Sequence, residues 1–245
     1  MPRHRLEPAT SAARTPAKSG KRDGKSVESI HAELYGAIIG HRIPPGTALQ
    51  EDALASAFGV SRTIVRAALQ RLSHARLVDL VPNKGAAVAK PSADEAREVF
   101  EARLALERVL VERVAQSATG AGIAKLIQLV KREKLAFETG DKAGRVKLSG
   151  DFHRQLADLA GNTVLSAFLN ELVSRTSLII ALYESPGAVP CSHGEHLEIA
   201  QALKRRDGKK AAQYMDHHLR HIEAQIELVD SHKPVDFKSL FKPSV

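Results

Sequence analysis

Cysteine and tryptophan are all but missing from this chain: Cys191 is the sole cysteine, and there is no tryptophan in 245 residues. One thiol cannot close an intrachain disulfide. A bridge-stapled scaffold is therefore excluded and a cytoplasmic setting is the natural one. Aromatic residues make up 4% of the chain against 43% hydrophobic overall, so the core must be aliphatic. No stretch reads as the roughly 20 consecutive apolar residues of a membrane span, and no membrane partner is expected. Residues 1–26 are polar and basic and lack the apolar centre of a secretion signal, so they read as a disordered basic tail. Acidic residues are scarce at one end only. Residues 1–90 hold 14 Lys and Arg against 7 Asp and Glu, whereas residues 91–245 hold 22 against 21. A basic first third on a near-neutral remainder is the electrostatic footprint of nucleic-acid binding.

Within that basic third, Leu54 and Phe58 are four apart and share one face of a helix. Gly59 supplies the conformational freedom to leave it, and Ser61 suits the N-cap of a second helix. In that second helix Val65, Ala68, Leu69 and Leu72 recur at helical spacing as a buried stripe, while Arg62, Arg66 and Gln70 recur every four residues on another face, with Thr63 beside them. Arginine forks onto guanine and glutamine onto adenine, and the first residues of a recognition helix are those that reach base edges. The competing reading, that these side chains are only a solvated helix surface, suits any one arginine but not the whole string. An amphipathic helix precedes the pair, with Val27, Ile30, Leu34 and Ile38 on one side. Leu77–Val81 and Ala86–Ala89 read as two short strands around Pro82-Asn83-Lys84-Gly85. That hairpin fits a wing in which Lys84 meets a phosphate and Gly85 lets the backbone approach DNA.

Residues 27–89 resemble the winged helix of GntR-type transcriptional regulators. The resemblance is carried by Pro45-Gly46, Leu49, Leu54-Ala55, Gly59-Val60-Ser61-Arg62-Thr63, Val65-Arg66, Leu69, Leu72, Leu77 and Asn83-Lys84-Gly85. It implies double-stranded operator DNA as partner, contacted through Ser61, Arg62, Thr63, Arg66, Gln70, Lys84 and Gly85. The chain departs from the family at Ile64, where proline is common, and at Asp52, where the family often has a DNA-contacting arginine. The second contact is not carried over.

From Pro91 onward every periodic signal is helical. Ser92 and Glu95 suggest a capping box opening a helix to about Ala118, followed by helices over about 122–139, 142–160 and 164–184. After a Pro- and Gly-containing break, Ser192 and Glu195 suggest a second capping box and a helix to about 205, and a last helix runs to about Val229. The expected fold class is mainly α: an N-terminal winged helix-turn-helix with a small β wing, then an all-α bundle of about six helices. The expected division is a tail over 1–26, a DNA-binding unit over 27–90, an effector-binding and dimerisation unit over 91–230, and a tail over 231–245.

Seven of the 11 histidines lie between 153 and 232. Imidazoles from three helices can converge inside a bundle on Zn²⁺, Ni²⁺ or a similar ion, although scattered histidines are more often surface or packing residues. Residues 94–225 resemble the helical FCD effector domain of the FadR-like subgroup, on the strength of Arg103 and Glu107, Phe152-His153, Gly161-Asn162, Glu195-His196 and His218-Leu219. The resemblance implies a divalent metal on His153, His196 and His218, with a small carboxylate effector at or near it. Arg103, Ser149 and Asn162 become the candidate effector contacts. The family's fourth ligand, an aspartate, falls on Ser149, and Asp151 points towards another helix face. A three-histidine site completed by water or effector and an unmetallated pocket both stay open. So does a structural ion pair for Arg103.

Three functional classes follow. The favoured one is an effector-responsive regulator, a dimer because paired half-sites need paired recognition helices, and a repressor rather than an enzyme. The second is a metal-dependent enzyme tethered to DNA, but no hydrolase motif surrounds Ser149 or Asp151. The third is an architectural DNA-binding protein without ligand control.

Overall fold

The computed structural model describes residues 25–81, 85–184 and 193–226. The N-terminal portion opens with α1 (Val27–Ile39), whose Ile30, Leu34, Ala37 and Ile38 are fully buried. Ser26 caps it by accepting from the Ser29 amide, and Lys25 Nζ lies 2.6 Å from Glu33. A two-residue strand, β1 (Ala48–Leu49), follows; it is too short to leave a sequence signal. Next come α2 (Glu51–Phe58) and α3 (Arg62–His74), joined through Gly59 in the left-handed region at φ 68°. The expected stripe of Val65, Ala68, Leu69 and Leu72 is the buried face of α3. β2 (Val78–Val81) and β3 (Gly85–Val88) pair antiparallel, and β1 adds to β3, so the sheet order is β1-β3-β2.

Six helices form the C-terminal bundle among the described residues: α4 (Ala93–Ser117), α5 (Gly120–Glu138), α6 (Lys142–Leu159), α7 (Thr163–Tyr183), α8 (His193–Lys204) and α9 (Gly208–Glu223). α4 lies against α9 and α7, and α5 against α6 and α8. The core is aliphatic, as expected: Leu110, Val114, Leu126, Leu156, Leu169, Ile199, Leu203 and Leu219 are all fully buried. Two expectations are corrected. The Ser92 capping box is half formed: Ser92 accepts from the Glu95 amide, but the Glu95 carboxylate reaches across to Arg175 instead. The last helix ends at Glu223 rather than near Val229, capped by Ala224. Among the described residues α7 is long and apolar enough to cross a membrane by length and composition, with a mean hydropathy of 1.4, but Glu171 and Arg175 interrupt its apolar run and its Leu169, Val173 and Ile179 pack inside the protein. The Ser192 half of the second capping box, Cys191 and both terminal tails lie outside the described residues.

The two portions touch. Leu178 of α7 is part of the core beneath the winged helix. The Ser177 hydroxyl donates to the Ile39 carbonyl at 3.3 Å, and His41 Nε2 donates to the Ser177 carbonyl at 3.0 Å. Gly40 stands where a Cβ would come within 3.1 Å of Ala143 on α6, a close approach that a larger residue would crowd. The end of α1 is thereby seated on α6 and α7.

Candidate functional sites

The first site is the outer face of α3. Arg62, Thr63, Arg66 and Gln70 are all exposed, as the four-residue spacing predicts. Ser61 occupies the N-cap position, but its side chain caps nothing. The first amides of α3 are thus left without a side-chain partner, a natural seat for a phosphate. Gly85 is exposed at the base of the wing with φ 86°, while Lys84 lies outside the described residues. Sequence reasoning missed the acids alongside. Glu51 pairs with Arg66 through both carboxylate oxygens, and Asp52 lies 3.2 Å from Arg62 Nε.

The second site is inside the bundle. His153 on α6, His196 on α8 and His218 on α9 are buried and bring their Nε2 atoms together. His196 to His218 is 3.1 Å and His218 to His153 is 3.3 Å. Each ring is held from behind by a carboxylate at Nδ1: Glu107 at 2.5 Å for His153, Glu133 at 2.8 Å for His196 and Glu195 at 2.8 Å for His218. An Nδ1–H donated to a carboxylate orients the ring and leaves Nε2 able to act as a metal ligand. Burial opposes protonating the cluster. Burial brings His153 down to about 4 despite the pull of Glu107, and burial together with the neighbouring His196 and His153 drives His218 well below the ordinary range. A shared cation would be held by the three nitrogens together. Tetrahedral Zn–N bonds of about 2.0–2.1 Å place ligand nitrogens about 3.3–3.4 Å apart, close to the spacing found. The donor set fits a divalent metal.

His153 also lines a cavity of about 70 Å³, bordered by Arg103, Glu133, Arg145, Ser149, Thr176 and Ser177 over a floor that includes Val173, Ile180 and Ile222. Arg103 is 2% exposed and donates from Nε to Glu107 at 2.7 Å, whereas its Nη2 has no hydrogen-bond partner. Nη2 is within 2.7 Å of the same carboxylate oxygen but not aligned to donate to it. Arg103 is therefore half of a buried ion pair with Glu107, and its side chain borders the cavity. Burial alone would raise the Glu107 carboxyl, yet Arg103 and His153 outweigh it and hold Glu107 down at about 2. Ser149 lines the cavity, and Asp151 turns away to Lys147 and Arg154. Asn162 is not brought here: its side chain accepts from the Val164 and Leu165 amides as the N-cap of α7. Glu133 went unnoticed in the sequence, although an acid on the stripe Leu126, Val130, Glu133, Ala136 was a usable signal.

These shifts carry a pH signature for the metal-free protein. Between about pH 6.5 and 4 the unfolded chain binds a proton on His153 that the folded chain refuses. Stability is therefore complete above that window and lost as pH falls through it, by a few kcal/mol, with Glu107 extending the loss towards pH 2. Urea midpoints in chelator should fall steadily across the window; a flat profile would mean the cluster is not buried as described.

Residues 26–88 match the bacterial regulatory proteins of the gntR family, and residues 98–221 match the FCD domain. The chain belongs to the GntR family of transcriptional regulators, in its FadR-like branch with an FCD domain, and is a DNA-binding regulator rather than an enzyme. It is 29% identical over 207 residues to the HTH-type transcriptional repressor RspR of Escherichia coli K12, covering 82% of this chain and 89% of the relative. It is 28% identical over 228 residues to the HTH-type transcriptional repressor NanR of Salmonella newport, covering 82% and 85%. In fold it is similar to E. coli McbR/YncC, with a TM-score of 0.71 at 21% identity over 81% of this chain and 95% of that one.

Proposed function

We propose that this protein is a metabolite-responsive repressor, working as a homodimer on operator DNA in the cytoplasm, with residues 27–90 reading the operator and residues 91–230 holding the effector. The effector is an organic acid. Its carboxylate meets the Arg103 guanidinium, and Ser149 borders the same space. His153, His196 and His218 would hold a divalent metal, which when bound supplies a Lewis-acidic position for an anionic oxygen. Arg103 offers a fixed, permanently charged donor in a site from which the apolar floor excludes much of the water. The reading is carried by one observation: Arg103 and His153, the latter one of three convergent buried histidines, line a single cavity.

The wall of that cavity also supports the coupling. Thr176 and Ser177 line it, and Ser177 bonds to Ile39 and His41 at the end of α1. A ligand that repositions α7 thereby biases how the winged helices are presented, and operator affinity follows from its differential affinity for the two arrangements. Repression accords with the names of the relatives. Operator binding should be titrated against a panel of small organic acids in zinc-loaded protein. One acid is expected to shift operator affinity roughly 5- to 150-fold, and Arg103→Lys to blunt the response. Equal operator affinity with every acid, in protein that retains its metal, would discard the effector reading.

A further inference from the structure

The recognition helix carries a second-layer contact. Arg66 is 58% exposed, and Glu51 of α2, 20% exposed, holds it from the side: Nε donates to Oε1 at 2.9 Å and Nη2 to Oε2 at 2.7 Å. A guanidinium has two useful forks. The side-on fork joins Nε and one Nη, and the end-on fork takes one N–H from each Nη. Glu51 occupies the first and leaves the second without another partner among the described residues. The end-on fork matches the O6 and N7 acceptors of guanine. Arg62 converges on the same acid, with Nη2 3.7 Å from Glu51 Oε2 and Nε 3.2 Å from Asp52. Glu51 sits in the first turn of α2, where the helix dipole favours a carboxylate.

We propose that Glu51 is a positioning residue for operator reading, holding Arg66 with its end-on fork towards a guanine in each half-site. An arginine fixed beforehand loses less side-chain freedom on binding, and its fork is aimed rather than merely attracted. The proposal rests on α3 facing the DNA and is independent of the effector reading. Its rival has the opposite sign. If Glu51 merely competes with DNA for Arg66, its removal strengthens binding everywhere, because a negative charge leaves the phosphate-facing surface.

The test uses the full chain and a site recovered by selecting genomic fragments with the wild-type protein. Affinities of wild type, Glu51→Ala, Glu51→Gln, Arg66→Ala and the Glu51→Ala/Arg66→Ala double variant are measured on that site, on versions with each guanine replaced in turn, and on a random duplex. Arg66→Ala is expected to erase discrimination at one G·C pair. Glu51→Ala should lower discrimination at that same pair by roughly tenfold, with random-duplex binding unchanged or tighter. Adding Glu51→Ala to Arg66→Ala should then change nothing further. Glu51→Gln, which keeps one acceptor, should fall between, and it carries the test if the alanine variant fails to fold. Tighter binding to all duplexes alike in Glu51→Ala, additive losses in the double variant, or an Arg66→Ala protein that still discriminates every guanine would each overturn the proposal.

Discussion

Glu107→Ala should lower the stability of the metal-free protein by about 3–5 kcal/mol, the range found when one partner of a buried ion pair is removed. Glu107 is fully buried and accepts from both Arg103 and His153. Its carboxyl, held at about 2, is charged at every working pH. Without it, the Arg103 guanidinium is left 2% exposed with no counter-charge, and it cannot lose its proton to escape the cost. Glu107→Gln keeps the shape and one acceptor but not the charge, so it should be nearly as damaging. Replacing both members, Arg103→Met with Glu107→Leu, should recover most of the loss, since buried pairs exchanged for apolar groups of like volume are often neutral. Urea unfolding at neutral pH with chelator present gives the numbers. Single variants within about 1 kcal/mol of wild type would mean that Arg103 finds solvent or another acid, and that the cavity wall is not the closed surface described.

The second large effect concerns the histidines. Protein supplied with Zn²⁺ or Ni²⁺ at 100–1,000 times the dissociation constant should gain about 3–4 kcal/mol, or about 5–15 °C in Tm for a chain of this size, and lose it in chelator. His196→Ala should abolish the gain, because the remaining two imidazoles no longer enclose the ion. Glu133→Gln should keep the site but weaken metal binding by roughly 10- to 100-fold, the usual cost of losing the group that orients a ligand. Glu133 touches the metal position only through His196, so this graded result separates an orienting role from a ligand role. Fresh protein free of transition metal by elemental analysis, with no thermal shift on adding either ion, would leave the three histidines as packing residues.

The helix α3 was legible because its evidence is local. Val65, Ala68, Leu69 and Leu72 must face inward for α3 to pack at all, which forces Arg62, Arg66 and Gln70 outward. The same periodic argument located the bundle helices to within a few residues. It failed where pairing is non-local. β1 exists only because Ala48 and Leu49 find Ala87 and Ala86 across 37 or more residues, and the Glu95 side chain abandons its own capping box for Arg175. Asn162 illustrates the opposite error: a polar residue in a recognisable motif whose work is entirely local, capping α7.

By itself, then, the sequence determined the class of this protein: a basic winged helix on an aliphatic helical bundle, with three histidines on three different helices. Spacing of 3.6 residues per turn and the placement of charge are properties of neighbouring residues, and a linear reading recovers them. Only the tertiary structure decided that those histidines point their Nε2 atoms at one another, that Glu107, Glu133 and Glu195 stand behind them, and that Arg103 and His153 share a cavity. It also decided that Glu51 reaches Arg66 from a different helix and that Ser177 links the cavity wall to α1. Each of these depends on how far apart two helix faces come to rest, a distance set by packing of the whole core rather than by the residues that use it.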